Sequence, residues 1–531
     1  MALMGTLRRN WPWLPVGIAL VYVLLLLGEA RSLVQAIYLS ADVSSGPMIA
    51  ELSDQAPAGS EVVLGNFPWY EAYWFETVTR WVPAHRQLWE VAPYLFSLAG
   101  IACVAWSAWK VAGRWAGAMV AVALGCASAG LLSYQFAWSI HAAVLFHAPL
   151  VGAFLVLCVA RGGTIGRPAL HMTAAVALTL VTALGVASDR LTLVTAVVPL
   201  AVAGLAVAWL AGGSLRKPLA LTALGVAAGS VVIGLIVAAL ARDAGIRAAD
   251  FPIRFTTFER LGPNVRLLFE SLAYLAGGDF GGKDPTVSSM LELLCAAAVA
   301  VGLVWAARYA RRFAGQASAD PVRAAHVLFW SCAGGFAAIT FLVSTLPVDK
   351  FSSRYVIVTL YAIPALLAVA VAGARDWRRA AVVGGVALVA LSGLFSLARR
   401  DLQDNAPGYP TGVVSGPLAD LVREERLDHG YAGYWDAAPL TWQTKAVARV
   451  YPVQPCTPAT PQKAGYCPFP FHRIDSWYRP SRGARTFLVI DPTQPGVQAP
   501  DPRFGRPERV EQIGQLEVRV YGYDIASRLG P

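Results

Sequence analysis

Stretches of about 18 to 23 mostly apolar residues recur along residues 1–397 and then stop. Each is long enough to cross a hydrocarbon core of roughly 30 Å as a helix. The pattern predicts eleven spans, near 11–28, 90–110, 115–133, 142–160, 169–187, 191–211, 218–240, 289–308, 325–346, 354–374 and 380–397. The first is expected to remain as an anchor, because LPVGIALVYVLLLLG runs into EARSLVQAIY rather than into a small-residue cleavage site.

Two segments between spans are too long to be connectors, 29–89 and 241–288. The first holds SADVSSGPMIAEL, read as a loop carrying Asp42, and then FPWYEAYWFETVTRW. The aromatic residues of that second stretch, from Trp69 to Trp81, suit a short helix at the membrane interface. In the second segment Leu267, Leu268, Leu272 and Leu275 give FERLGPNVRLLFESLAYLAGG an apolar side, and paired glycines end it. Beyond Leu397 the apolar runs shorten and Pro and charge rise. PLADLVREERLDHG reads as a helix. GYAGYW and VARVYPV read as strands around a short helix, and RTFLVIDP and LEVRVYGYDI as two more strands. The expected architecture is an α-helical polytopic membrane domain, 1–397, followed by a small α/β domain, 398–531.

Composition agrees. Of 531 residues, 56% are hydrophobic and 14% charged, where a soluble domain carries roughly a quarter charged residues. Basic residues gather in alternate short loops: Arg8/Arg9, Lys110/Arg114, Arg161/Arg167, Arg216/Lys217, Arg308/Arg311/Arg312 and Arg375/Arg378/Arg379. By the positive-inside rule these face the cytoplasm. An odd number of spans then puts the N-terminus in the cytoplasm and the tail outside the plasma membrane. The net charge of +10 is scattered rather than gathered on one face, which argues against nucleic acid as a partner. Five cysteines fall inside predicted spans. Cys456 and Cys467 lie in the exported tail, where a disulfide is expected.

No phosphate-binding loop, HExxH, GxSxG or CxxC motif occurs in a fitting context, which argues against ATP-driven transport, zinc hydrolysis and serine hydrolysis. The polar residues that remain fall at one level, the outer membrane face. They are Asp42, the Asp189–Arg190 turn between spans five and six, and Ser353 and Arg354 in DKFSSRY at the start of span ten. Asp189 also suits a helix cap and Arg354 a headgroup anchor. His85, Arg86 and Glu90 are polar flanks of span two. His141 and His147 are spaced to point to different sides of a helix, so they are not expected to share a metal.

This layout resembles the GT-C superfamily of integral membrane glycosyltransferases, which use polyprenyl-phosphate-linked sugars at the outer membrane face. The matching features are a long first outer loop with an acid shortly after span one, interfacial helices behind it, many further spans and an outer C-terminal domain. GYAGYWDAAPLTWQTKAVARVYPV resembles a stretch in the outer domains of bacterial members. The sequence departs from their paired-acid pattern, since the next acid after Asp42 is Glu51. The resemblance implies transfer of a sugar from a polyprenyl-phosphate donor to an envelope glycan, lipid or protein, with inversion. Asp42 would be the base and Arg354 or Arg190 the phosphate partner, supported by Asp189, His85, Arg86 and Ser353. Basic side chains suffice for one phosphate, so no metal ligand is assigned, although a divalent metal is compatible. The competing expectations are a transporter or flippase of a lipid-linked glycan, and a non-catalytic envelope-assembly protein.

Overall fold

The computed structural model describes residues 13–53, 56–65, 75, 78, 81–82, 85–137, 141, 143–164, 167–211, 213, 216–249, 253–313, 319–372, 377–399, 413–456 and 465–530. Of the aromatic stretch expected to be an interfacial helix, Trp69, Tyr70, Tyr73 and Trp74 lie outside them, as do the side chains of His85 and Arg86.

The chain is a multi-pass membrane protein with a β-rich C-terminal domain. Among the described residues eight helices are long and apolar enough to cross a bilayer, and all lie at predicted spans. The membrane part runs α1 (Trp13–Gly28), α2 (Ala30–Ile37), α3 (Ala41–Ser53), α4 (His85–Ala112), α5 (Arg114–Gly125), α6 (Ala129–Gln135), α7 (Val144–Ala160) and α8 (Pro168–Ser188). A π-helical turn then leads into α9 (Val198–Ala211), followed by α10 (Arg216–Asp243), α11 (Phe258–Leu275), α12 (Val287–Phe313), α13 (Pro321–Val343), α14 (Ile357–Val371) and α15 (Trp377–Ala398). At spans one and four stand the apolar helices α1 and α7, which are shorter than that, so the expected eleven is not reached: eight helices of spanning length, or nine with one bent pair, are present among the described residues.

Two expectations are corrected. The third predicted span, 115–133, is not straight: α5 and α6 meet at 90° across residues 126–128. A break in lipid leaves carbonyls without helical partners, which is tolerated only where protein supplies them. Here the Tyr22 hydroxyl donates to the Ala127 carbonyl. The Ser128 side chain accepts from the Leu131 N–H and donates to the Leu275 carbonyl at 2.8 Å. Gly393 and Gly130 let neighbouring backbone close in. A Cβ on Gly393 would come 2.6 Å from the Cys126 carbonyl oxygen, and one on Gly130 2.5 Å from that of Tyr274.

The second correction concerns SADVSSGPMIAEL, which forms α3 despite Gly46 and Pro47 inside it. Local propensity favours a turn there, but ten of its thirteen residues are buried. Burial outweighs propensity, and Asp42 becomes a first-turn residue of a helix, where a negative charge is favoured by the helix dipole.

The amphipathic helix expected in the second outer segment is α11, with Leu268, Leu272 and Leu275 buried. It ends in a Schellman motif: Gly278 N–H donates to the Ala273 carbonyl at 2.7 Å and Gly277, φ +80°, supplies the left-handed residue.

In the tail, α16 (Ser415–Glu424) precedes β3 (His429–Gly433), α17 (Tyr434–Gln443) and β4 (Val450–Pro455), a βαβ unit whose strands pair in parallel. With β5 (Tyr466–Pro468), β7 (Thr486–Ile490), β8 (Arg509–Ile513) and β9 (Leu516–Tyr521) they make a six-stranded mixed sheet, order β5-β4-β3-β7-β9-β8. Cys456 and Cys467 are joined, tying β4 to the edge strand β5. This domain is also stitched to the membrane part by a second sheet, made of β1 (Val62–Leu64) from segment 29–89, β2 (Ile246–Ala248) from segment 241–288 and β6 (Arg473–Ile474) from the tail, in the order β2-β1-β6.

Candidate active site

The junction between the two parts encloses a cavity of about 1000 Å³. Its walls come from α2 and α3, the α5–α6 break, the end of α11, the start of α12, the 349–354 turn, the end of α15 and, from the C-terminal domain, Trp435, Gln494 and Pro495. Asp42 and Arg354 both line it.

Asp42 Oδ2 lies 3.8 Å from Nη1 of Arg354, with the two side chains 36% and 25% exposed. Oδ1 accepts a 2.9 Å hydrogen bond from the Tyr434 hydroxyl. That hydroxyl also lies 3.0 Å from His472 Nδ1. Since its single proton goes to Asp42, the histidine nitrogen must be the donor, which fixes the Nδ1–H tautomer. Burial pushes the His472 pKa down to about 3, so the ring is neutral. Burial first, and then the charge of Asp42, raise the Tyr434 pKa well above its ordinary value, so the phenol stays a donor. Tyr434 stacks on Phe469 at 4.5 Å between centroids. Gly65 makes room behind His472, where a Cβ would sit 2.3 Å from Nε2.

Arg354 lies in a 3₁₀ turn, Lys350–Val356, that precedes α14 and opens on a capping box between Asp349 and Ser352. Its guanidinium lies 5.2 Å from the Tyr355 ring centroid, and among the described residues its buried Nε has no hydrogen-bond partner. Ser353, expected to assist Arg354, is fully buried and shares a 2.9 Å hydrogen bond with the Tyr134 hydroxyl, so it turns inward. Further along the same cavity Lys350 pairs with Asp279 at 2.8 Å and Lys283 with Glu292 at 2.7 Å.

Asp189 and Arg190 divide. Arg190 is exposed and is not among the cavity-lining residues. Asp189 is buried, accepts from the Leu191 N–H at 2.8 Å as a cap, and holds His141 Nδ1 at 2.7 Å. The His141 ring lies 4.8 Å from that of Tyr355, so this pair backs the arginine turn without lining the cavity. Among the described residues no group of three or more His, Cys, Asp or Glu converges as a metal ion would need.

Sequence reasoning missed Tyr434, His472 and Trp435 as parts of this site. Their one signal was position: Tyr434 and Trp435 follow the carboxyl end of the parallel strand β3, where open α/β sheets place ligands.

This cavity shares Ser128 with an apolar groove lined by residues of α5, α12, α14 and α15, among them Met119, Trp305, Leu367 and Val386.

No family model matches the chain, and no curated protein matches it by sequence. Two solved structures are similar to it. One is the archaeal oligosaccharyltransferase AglB from Archaeoglobus fulgidus in complex with an inhibitory peptide and a dolichol-phosphate, at 13% identity, TM-score 0.45, covering 84% of this chain. The other is the Archaeoglobus fulgidus oligosaccharyltransferase tethered with an acceptor peptide through a disulfide, at 13% identity, TM-score 0.41 and the same 84% coverage. Both belong to the GT-C superfamily. The chain spans 64% of the length of each.

Proposed function

We propose that the protein is a membrane glycosyltransferase that moves a sugar from a polyprenyl-phosphate donor to a hydroxyl acceptor at the outer face of the membrane. The observation that carries this reading is the Asp42–Arg354 pair, 3.8 Å apart, opening together into a large cavity with charged and polar side chains in its wall, beside an apolar groove among the spans. A lipid-linked sugar has three parts that need those three surroundings: an apolar chain, an anionic phosphate and a polar ring.

In the proposed step the acceptor oxygen forms a bond to the anomeric carbon while the bond from that carbon to the phosphate oxygen breaks. The acceptor's proton passes to Asp42, and the bonding electrons leave with the lipid phosphate. Arg354 stabilises the charge that develops there, since a planar guanidinium matches two phosphate oxygens. One displacement with one base inverts the anomeric configuration. Tyr434 orients the carboxylate from behind by donating to Oδ1, and His472, which donates to the Tyr434 hydroxyl, holds that donor at one setting.

The test is Asp42→Asn in the full-length protein reconstituted in lipid and supplied with polyprenyl-phosphate sugars. The amide keeps the shape but cannot take the proton, so turnover should fall on the order of a hundredfold or more. Unchanged turnover would remove Asp42 from the chemistry.

A further inference from the structure

Part of the cavity wall comes from the C-terminal domain rather than from membrane helices. Trp435 projects into it with 40% of its surface exposed, whereas its neighbour Tyr434 is buried at 6%. Consecutive residues at the start of α17 thus differ in setting: Tyr434 is buried against Asp42, while Trp435, its ring 5.2 Å from that of Tyr434, is open to the cavity. Gln494 and Pro495 line the same cavity.

This wall is built rigidly. In the loop 491–497, the Thr493 N–H and hydroxyl both donate to Asp491 Oδ1, at 2.8 and 2.7 Å, and the Asp491 N–H donates to the Val497 carbonyl at 3.0 Å. Gly496, φ +128°, lies against the strand end that leads into Tyr434, since a Cβ there would come 2.9 Å from the Gly433 Cα. The loop and the Trp435 turn are therefore fixed to one another by a contact that only two glycines permit. An indole held in place with part of its surface open to the cavity offers a ligand a flat apolar face and a polar N–H.

We propose that Trp435, Pro495 and Gln494 form a pyranose-binding wall. A sugar ring has an apolar face of C–H bonds and a rim of hydroxyls. The indole and the proline ring match the face, and the Gln494 amide, with two donors and an acceptor, matches the rim. The cavity, about 1000 Å³, is of ligand size. This inference rests on reading the site as a glycosyltransferase, and the ring it binds belongs either to the donor or to a glycan acceptor.

The experiment uses the full-length protein in nanodiscs. Its probes are undecaprenyl phosphate, the same lipid carrying glucose, mannose or galactose, and the free methyl pyranosides of those sugars. The wild type should bind at least one sugar-bearing lipid, or one methyl pyranoside, measurably. If the wall holds the donor sugar, Trp435→Ala should erase the advantage of the sugar-bearing lipid over the bare lipid phosphate, roughly two- to tenfold for loss of an aromatic contact. Trp435→Phe should keep most of it, and binding of the bare lipid phosphate should not change. If the wall holds the acceptor, Trp435→Ala should instead weaken methyl pyranoside binding by a similar factor. A wild type that binds neither kind of sugar probe, or a Trp435→Ala protein that binds both as the wild type does, overturns the proposal. The underlying reading fails separately, through normal turnover in Asp42→Asn, and a sugar wall found in such a protein would mark a binding module.

Discussion

The hydroxyl of Tyr434 donates to Asp42 across 392 residues of sequence, joining the first turn of a helix behind span one to the first residue of a helix in the C-terminal domain. The acid that the sequence offers as a base is therefore set by the C-terminal domain, and the domain is part of the candidate site rather than an appendage.

Tyr434→Phe keeps the ring on Phe469 but removes the donor to Asp42 and the acceptor for His472. A hydrogen bond to a charged group contributes about 1.5–3 kcal/mol, so turnover should fall about tenfold or more. The KM for the donor should hold, because Arg354 is untouched. A fall in donor affinity with normal turnover would show that Tyr434 does not act through Asp42.

Arg354→Lys keeps the charge and loses the planar fork. Phosphate recognition expects weaker donor binding and lower turnover with unchanged membrane insertion. A headgroup anchor tolerates lysine, so near-normal activity would assign Arg354 to anchoring.

His472 makes stability pH-dependent with a definite sign. Its folded pKa of about 3 lies below the ordinary value near 6.5, so between those values the unfolded chain binds the extra proton. Its contribution is complete above about pH 6.5 and declines as pH falls, by at most about 1.4 kcal/mol per unit. His472→Asn keeps an N–H for Tyr434, tolerates the left-handed backbone at φ +53° and does not titrate. Between pH 7 and pH 5 the thermal midpoint of the wild type should therefore drop more than that of His472→Asn, and parallel curves would contradict this.

Cys456 and Cys467 are closed against Gly530, where a Cβ would come 2.7 Å from both sulfurs. An impermeant maleimide applied to the outer face should label neither thiol before reduction and both after it. Replacing both by serine should cost roughly 2–3 kcal/mol of domain stability. Labelling from the cytoplasmic side alone would reverse the expected topology.

The sequence by itself determined the elements that need no distant partner. A run of apolar residues satisfies its backbone within one helix and its side chains in lipid, so all eight long helices lie where the pattern puts them. The apolar strand TFLVI and the alternating strand LEVRVY were legible as well, and so was the pairing of Cys456 with Cys467. Tertiary structure alone decided what depends on contacts between distant segments. It folded Gly46 and Pro47 into α3, because burial there outweighs a local turn preference. It broke the third span at Ser128, where Tyr22 and neighbouring glycines accommodate the break. It joined β1, β2 and β6 from three separate segments, and it set Tyr434, His472 and Trp435 around an acid at the other end of the chain. No local pattern encodes such pairings, because each is fixed by the packing of segments hundreds of residues apart.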